Sequence, residues 1–186
     1  MHQGGHDETW GGVRINIDRS YLDLGRGSVA PGEVHCGGIG ISFPAYERLE
    51  PGAATPTQVK ALKCLLKEKG VFTGSMGPTY GDRLLAAIHA WQTDHGLPVS
   101  DVWSLKGWRT VLADGPRGLV KIGSAGLGVR RLQRTLNATG RVQLRTNGVF
   151  DAATVAAVRQ WQSSAKQEVT GVLTSAQWKV LQTGRK

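Results

Sequence analysis

Cysteine is scarce in this 186-residue chain, which has only Cys36 and Cys64. Neither sits in a C-x-x-C pair, so the spacing offers no zinc framework and no metal centre is expected. His2, His6, Asp7 and His35 with Cys36 do not change this, because no two of the histidines stand at i, i+4 or in an H-E-x-x-H. Long apolar runs are missing too. None approaches the roughly 18–20 residues that a membrane helix needs, so no membrane association is expected. The start, Met1-His2-Gln3-Gly4-Gly5-His6-Asp7-Glu8, lacks the basic region, apolar stretch and cleavage site of a secretory signal. The expectation is a protein that stays where it is made, or one whose export signal lies on an upstream segment. Gly-x-Ser-x-Gly is absent, as is a Gly-rich loop ending in Lys-Ser or Lys-Thr, so neither a serine nucleophile nor a nucleotide or other cofactor is expected.

Acidic residues are few in the last third, and that is where the formal charge of +9 resides. Residues 1–56 carry four basic and seven acidic side chains, residues 57–116 seven and five, and residues 117–186 twelve and two. So positive a segment attracts polyanions such as nucleic acid, anionic lipid or the phosphate-rich polymers of a bacterial wall. With 40% apolar and 20% charged residues, the chain can bury real cores.

Sliding the sequence against itself gives one gapless self-match at an offset of 70 residues. Val59, Leu62, Leu66 and Gly70 fall on Val129, Leu132, Leu136 and Gly140. Ala86-Ala87-Ile88 falls on Ala156-Ala157-Val158, Trp91-Gln92 on Trp161-Gln162, Val99 and Val102 on Val169 and Val172, and Trp108 and Val111 on Trp178 and Leu181. Two tandem domains are expected, at 57–114 and 118–184, joined by Asp114-Gly115-Pro116-Arg117-Gly118. Within each, the apolar spacing is helical. In the second, Val129, Leu132 and Leu136 share a face ahead of Gly140, Asp151 caps a helix carrying Thr154, Val158, Trp161 and Gln162, and Thr174-Ser175-Ala176-Gln177 is a capping box. The first follows the same plan, with helices over 57–69, through Leu84–Trp91 and through Leu105–Leu112. The fold class expected is mainly α: two tandem three-helix bundles behind an irregular, strand-containing N-terminal extension at 1–52.

The pattern Val129-x-x-Leu132-Gln133-x-x-Leu136-x-x-x-Gly140, Gly148-x-Phe150-Asp151-x-x-Thr154-x-x-Ala157-Val158-x-x-Trp161-Gln162, Val169-x-Gly171 and Trp178-x-x-Leu181 closely resembles the peptidoglycan-binding domain family. The resemblance covers essentially all of 118–184 and, less completely, 57–114. It implies a three-helix module that anchors wall-degrading enzymes to peptidoglycan. The first copy departs at Lys63, where the family favours Gln, at Pro78-x-Tyr80-Gly81 in place of Gly-x-Phe-Asp, and at Leu84 in place of Thr. Thr9-Trp10-Gly11-Gly12-Val13-Arg14-Ile15-Asn16-Ile17-Asp18 alternates as a strand and looks like the last strand of a lysozyme-like glycoside-hydrolase barrel, in which Asp18 would be a carboxylate at the strand's end. One strand cannot make a barrel of typically about 200 residues or more, so this match implies a catalytic domain lying elsewhere on a longer enzyme.

Trp91, Trp108, Trp161 and Trp178 repeat at helical positions and are expected in the cores, whereas Trp103, beside a helix start, is the better candidate for an exposed aromatic. Cys64 falls on the outward face of the 57–69 helix. A disulfide to Cys36 and two free thiols are both open, because the redox compartment decides between them. Arg130, Arg131, Arg134, Arg141 and Arg145 form either a solvated face or a surface for carboxylates and phosphates. The candidate binding site is Gln133, Arg134, Arg145, Asn147 and Gln162. No catalytic residue is assigned, Asp18 entering only with the barrel match.

The reading that results is non-catalytic binding of peptidoglycan, with anionic wall polymers as a second partner, by a monomer located outside the cell or in its wall. Two alternatives are a peptidoglycan hydrolase of which this is the C-terminal part, and a basic nucleic-acid binder. The second lacks a recognition helix or an RNA-stacking motif, and nucleic acid is not the expected partner.

Overall fold

The computed structural model describes residues 32–186 together with the backbone of residues 9–10 and 13–14. Six helices make up most of it: α1 (Pro56–Glu68), α2 (Asp82–Asp94), α3 (Leu105–Ala113), α4 (Leu127–Asn137), α5 (Ala152–Ser164) and α6 (Ser175–Gln182). None of them is long and apolar enough to cross a membrane. Ahead of them, β1 (Thr9–Trp10) pairs antiparallel with β2 (Val13–Arg14), Thr9 opposite Arg14 and Trp10 opposite Val13. This corrects the expected single strand over 9–18, because its described parts pair with each other. Asp18 lies outside the described residues.

Local chemistry explains the helix ends. Pro56 opens α1, where its missing N–H costs nothing. The Ser104 hydroxyl accepts from the Gly107 N–H at the start of α3, and the Asp151 carboxylate accepts from the Thr154 N–H at the start of α5. Thr174 and Gln177 make the expected reciprocal capping box on α6. At the end of α1 the N–H groups of Gly70 and Val71 return to the carbonyls of Lys67 and Leu66. That closure needs a left-handed residue, and Gly70 supplies it at φ 74°. The end of α2 repeats it with Gly96, while at the end of α5 Lys166 takes the left-handed position at φ 55°.

Buried side chains form two clusters. One joins Val59, Leu62 and Leu66 of α1, Leu84, Ile88 and Trp91 of α2, and Trp108, Val111 and Leu112 of α3. The other joins Val129, Leu132 and Leu136 of α4, Val158 and Trp161 of α5, and Trp178 and Leu181 of α6, together with Phe150. The four repeated tryptophans are in these cores, as the helical spacing required. Trp103 is not the exposed aromatic expected of it; it is fully buried and packs edge-on against Trp108 at 6.1 Å. The reason is its backbone. Leu49 and Trp103 exchange N–H···O bonds of 3.0 and 2.8 Å, which seals Trp103 beneath the segment that precedes α1.

That segment is part of the first core. Ile41, Tyr46 and Leu49 are buried in it, and the Trp108 indole N–H donates to the Glu47 carbonyl at 2.7 Å. The same covering explains Cys64. Expected on the outward face of its helix, Cys64 is instead fully buried in the first cluster and bonded to Cys36 of the upstream chain in a disulfide.

The two clusters meet along α3. Arg109 is buried there, donating to the Gly184 carbonyl at 2.7 Å and to the Ala138 carbonyl at 3.1 Å, just beyond the ends of α6 and α4. Burial, and then the charge of Arg141, lowers its pKa to about 10, so the guanidinium stays charged at neutral pH and holds both carbonyls. The Gln182 amide donates to the carbonyls of Ala113 and Gly115, and Asn137 donates to Phe43 at 3.0 Å. Backbone carbonyls are thus tied by side chains from the other half of the chain.

Candidate functional site

The five residues of the candidate site fall in three places. Gln133, on α4, is buried and serves the loop ahead of α5. Its Oε1 accepts from the Gly148 N–H at 2.9 Å, and its amide N–H₂ donates to the Val149 carbonyl at 2.9 Å and to Asn147 Oδ1 and Thr154 Oγ1, each at 3.2 Å. Asn147 Oδ1 also accepts from the Val149 N–H at 3.0 Å, which folds the loop on itself. Gln133 and Asn147 are therefore brought together, with Asn147 the more accessible of the two and Arg145 exposed at the edge of the same loop.

Gln162 is elsewhere. It is buried on α5 and ties the turn ahead of α6, accepting from the N–H groups of Thr170 and Gly171 and donating to the Val172 carbonyl at 2.8 Å. Gln92 makes the matching contacts 70 residues earlier, donating to the Val102 carbonyl at 3.0 Å and accepting from the Ser100 N–H at 2.8 Å. Both amides replace water for a turn that cannot pair its own backbone. Lys63, standing where Gln133 stands in the other half, is also buried. Its ammonium donates to the Gly77 carbonyl at 2.8 Å and lies 5.7 Å from the centre of the Phe72 ring. The lysine thus holds its loop with one long donor where Gln133 holds it from both sides.

Arg134 points the other way from Gln133 on α4. It is buried, and its guanidinium bonds the Glu33 carboxylate, with Arg130 Nη1 3.6 Å from the same oxygen and His35 Nε2 3.7 Å away. Burial pushes the Glu33 pKa up, but the Arg134 bond and charge, then His35 and Arg130, outweigh it, so the carboxyl sits below its ordinary value of 4.5. A folded-state pKa below the unfolded one means that the stabilisation is fully present above the unfolded value and is lost as pH falls through the folded one. Glu33→Gln is expected to cost about 1–2 kcal/mol at neutral pH and to flatten the fall in stability below about pH 4.5. Urea melts of both proteins at pH 7 and below 4 would check this, and an equal difference between the two at every pH would remove the role assigned to the carboxylate.

Sequence reasoning missed two features. Glu33 stands in no motif, although Arg130 and Arg134 at i, i+4 were a signal that one anion could meet both. Arg131, which lies 4.2 Å from the centre of the Trp178 ring and donates to the Pro116 carbonyl, had no signal at all, since the spacing of one helix says nothing about a partner on another.

No curated protein and no solved structure matches this chain. The matched family model is described as "Putative peptidoglycan binding domain", and it spans Ala125 to Leu181, from just before α4 to the last turn of α6. Residues 125–181 therefore match a peptidoglycan-binding domain, and the Gln133 loop, the Gln162 turn and the Trp178 core all lie within the matched residues.

Proposed function

We propose that this chain is a non-catalytic protein that binds bacterial cell-wall peptidoglycan, using two copies of one helical module to anchor an attached hydrolase domain. The observation that carries the reading is the family match at 125–181. The geometry of the first half supports a second copy. Trp108 and Trp178 both donate to a carbonyl of the segment preceding their own first helix, at 2.7 and 2.8 Å. The Leu49–Trp103 bridge has its counterpart in Val120–Leu173, and the Gln92 turn in the Gln162 turn. On this reading the first module begins near residue 46 rather than at 57, since its core needs Tyr46 and Leu49. The Cys36–Cys64 disulfide suits an oxidising location outside the cytoplasm.

Of the five candidate residues, Arg145 and Asn147 offer accessible groups to a ligand, while Gln133, Gln162 and Arg134 build the surface that presents them. Two linked weak modules raise each other's local concentration on a polymer, and the positive second half adds a salt-sensitive attraction to an anionic wall. The test is co-sedimentation of the whole chain with purified sacculi, before and after stripping of anionic polymers, across a salt series. Retention on stripped sacculi at moderate salt is expected, with about tenfold weaker binding for Arg145→Gln if its guanidinium meets a ligand carboxylate. No retention at any salt would end the reading.

A further inference from the structure

A cleft of about 460 Å³ lies where the two buried clusters meet. That volume is within the range of sites that hold small molecules and short peptides. Its floor is apolar, with Ile41 and Leu112 from one cluster and Val120 and Trp178 from the other, and Leu127 stands 51% exposed at its edge. The carboxylates around it are already engaged: Glu33 by Arg134, Glu68 by His35 at 2.9 Å, and Asp114 by Lys69 at 2.7 Å. Arg131 differs from these. Its guanidinium spans Trp178 and the Pro116 carbonyl, its Nε is buried with no hydrogen-bond partner, and among the described residues no carboxylate forms an ion pair with it.

A half-buried guanidinium with no carboxylate bonded to it, the neighbouring Asp114 carboxylate being held by Lys69, is a receptor for a further carboxylate, because an incoming anion recovers lost solvation through two parallel N–H···O bonds. Burial lowers the Arg131 pKa, the charge of Asp114 offsets part of this, and the charge of Arg134 adds to it. The apolar floor beside it discriminates among anionic ligands. A sugar ring would bring hydroxyls to a surface whose polar groups are spent on each other, and a polyol phosphate would bring no apolar group to cover Val120 or Trp178.

We propose that this cleft binds the short peptide of peptidoglycan, with a peptide carboxylate on Arg131 and alanine-sized side chains against Val120, Leu112 and Trp178. The inference rests on the wall-binding reading and names which part of the wall polymer is recognised. It also gives the pairing of the modules a purpose beyond avidity, since neither half of the chain builds the cleft alone.

The experiment uses the full chain and a synthetic tetrapeptide, L-Ala-γ-D-Glu-meso-diaminopimelate-D-Ala, titrated by calorimetry, with sacculus retention measured in parallel. Arg131→Gln removes the receptor, and Leu127→Glu places an anion at the exposed mouth, where the fold is not at stake. Both are expected to weaken peptide binding about tenfold or more, while Lys179→Gln, on the exposed face of α6, leaves it unchanged. Sacculus retention by the parent chain without measurable peptide binding would overturn the cleft proposal and leave the wall-binding reading standing. So would unchanged affinity in Leu127→Glu, or glycerol phosphate binding more tightly than the peptide. Absence of sacculus retention by the parent chain would overturn the reading itself.

Discussion

Replacing Cys36 and Cys64 by serine, or reducing the bond between them, is expected to lower the unfolding free energy by about 3 kcal/mol, from the entropy of a closed loop of this length. The disulfide joins positions 28 residues apart and closes the chain between Cys36 and α1. Within that loop Ile41, Tyr46 and Leu49 are buried, and the Tyr46 hydroxyl donates to the Ile41 carbonyl at 2.7 Å. The loop is otherwise held by few bonds, chiefly the Leu49–Trp103 bridge, the Trp108 indole on Glu47 and the Gln58 amide, which bonds Glu47 N–H and the Ala45 carbonyl. Without the staple, uncovering Cys64, Leu65 and Trp103 becomes a smaller event than global unfolding. Thermal melts with and without reductant should differ by about 6–12 °C for a chain of this size. Proteolysis in reductant should cut first between residues 37 and 55. Equal melting temperatures would show that the apolar contacts of the segment hold it unaided.

The helices were legible in the sequence because each carries its own signal. Period-3.6 apolar faces marked all six, and Asp151 and the Thr174–Gln177 box placed two of their starts. What sequence did not show is chain laid over chain. The burial of Trp103 and Cys64 goes with residues 36–49, which bond to them through Cys36 and Leu49, a stretch whose Gly, Pro and mixed polar residues have no period. Its buried residues, Ile41, Tyr46 and Leu49, are spaced by turns and not by a helix or strand repeat. The single N-terminal strand failed for a related reason. Alternation over 9–18 is equally compatible with one long strand and with two short ones that pair, and Gly11-Gly12 between the two halves was the cue that favoured the second.

The candidate site was less legible than the fold, for a physical reason. Polar residues at matched places in a repeat serve either a ligand or the repeat's own loops, and one sequence does not separate these uses. Gln133 and Gln162 turn out to bond loop backbone, and Arg134 to bond Glu33. Arg131 was grouped with its neighbours as one basic face, although α4 points Arg131 towards Trp178, leaves Arg130 and Arg134 on Glu33, and turns Gln133 inward to the loop.

Gln162→Leu separates the two uses of a buried amide. The side chain is fully buried, so leucine of similar size fills the space, but the N–H groups of Thr170 and Gly171 and the Val172 carbonyl lose their partners. Each backbone group left unpaired in the interior costs about 1–3 kcal/mol, so a total of about 3 kcal/mol or more is expected. Gly171 makes the turn hard to rearrange. It sits at φ 78°, a conformation that other residues adopt only with strain, and a Cβ there would meet Val155 and Arg159 at 3.0 Å. Gln92→Leu, which frees only the Ser100 N–H and the Val102 carbonyl, should cost about 1–3 kcal/mol less by the same count. Sacculus retention per folded molecule, measured well below the melting temperature, should stay within about twofold of the parent for both variants, because neither amide reaches solvent. If retention instead collapses while the melting temperature holds, the amide faces the wall polymer, and the turn it closes must be reassigned as a binding surface.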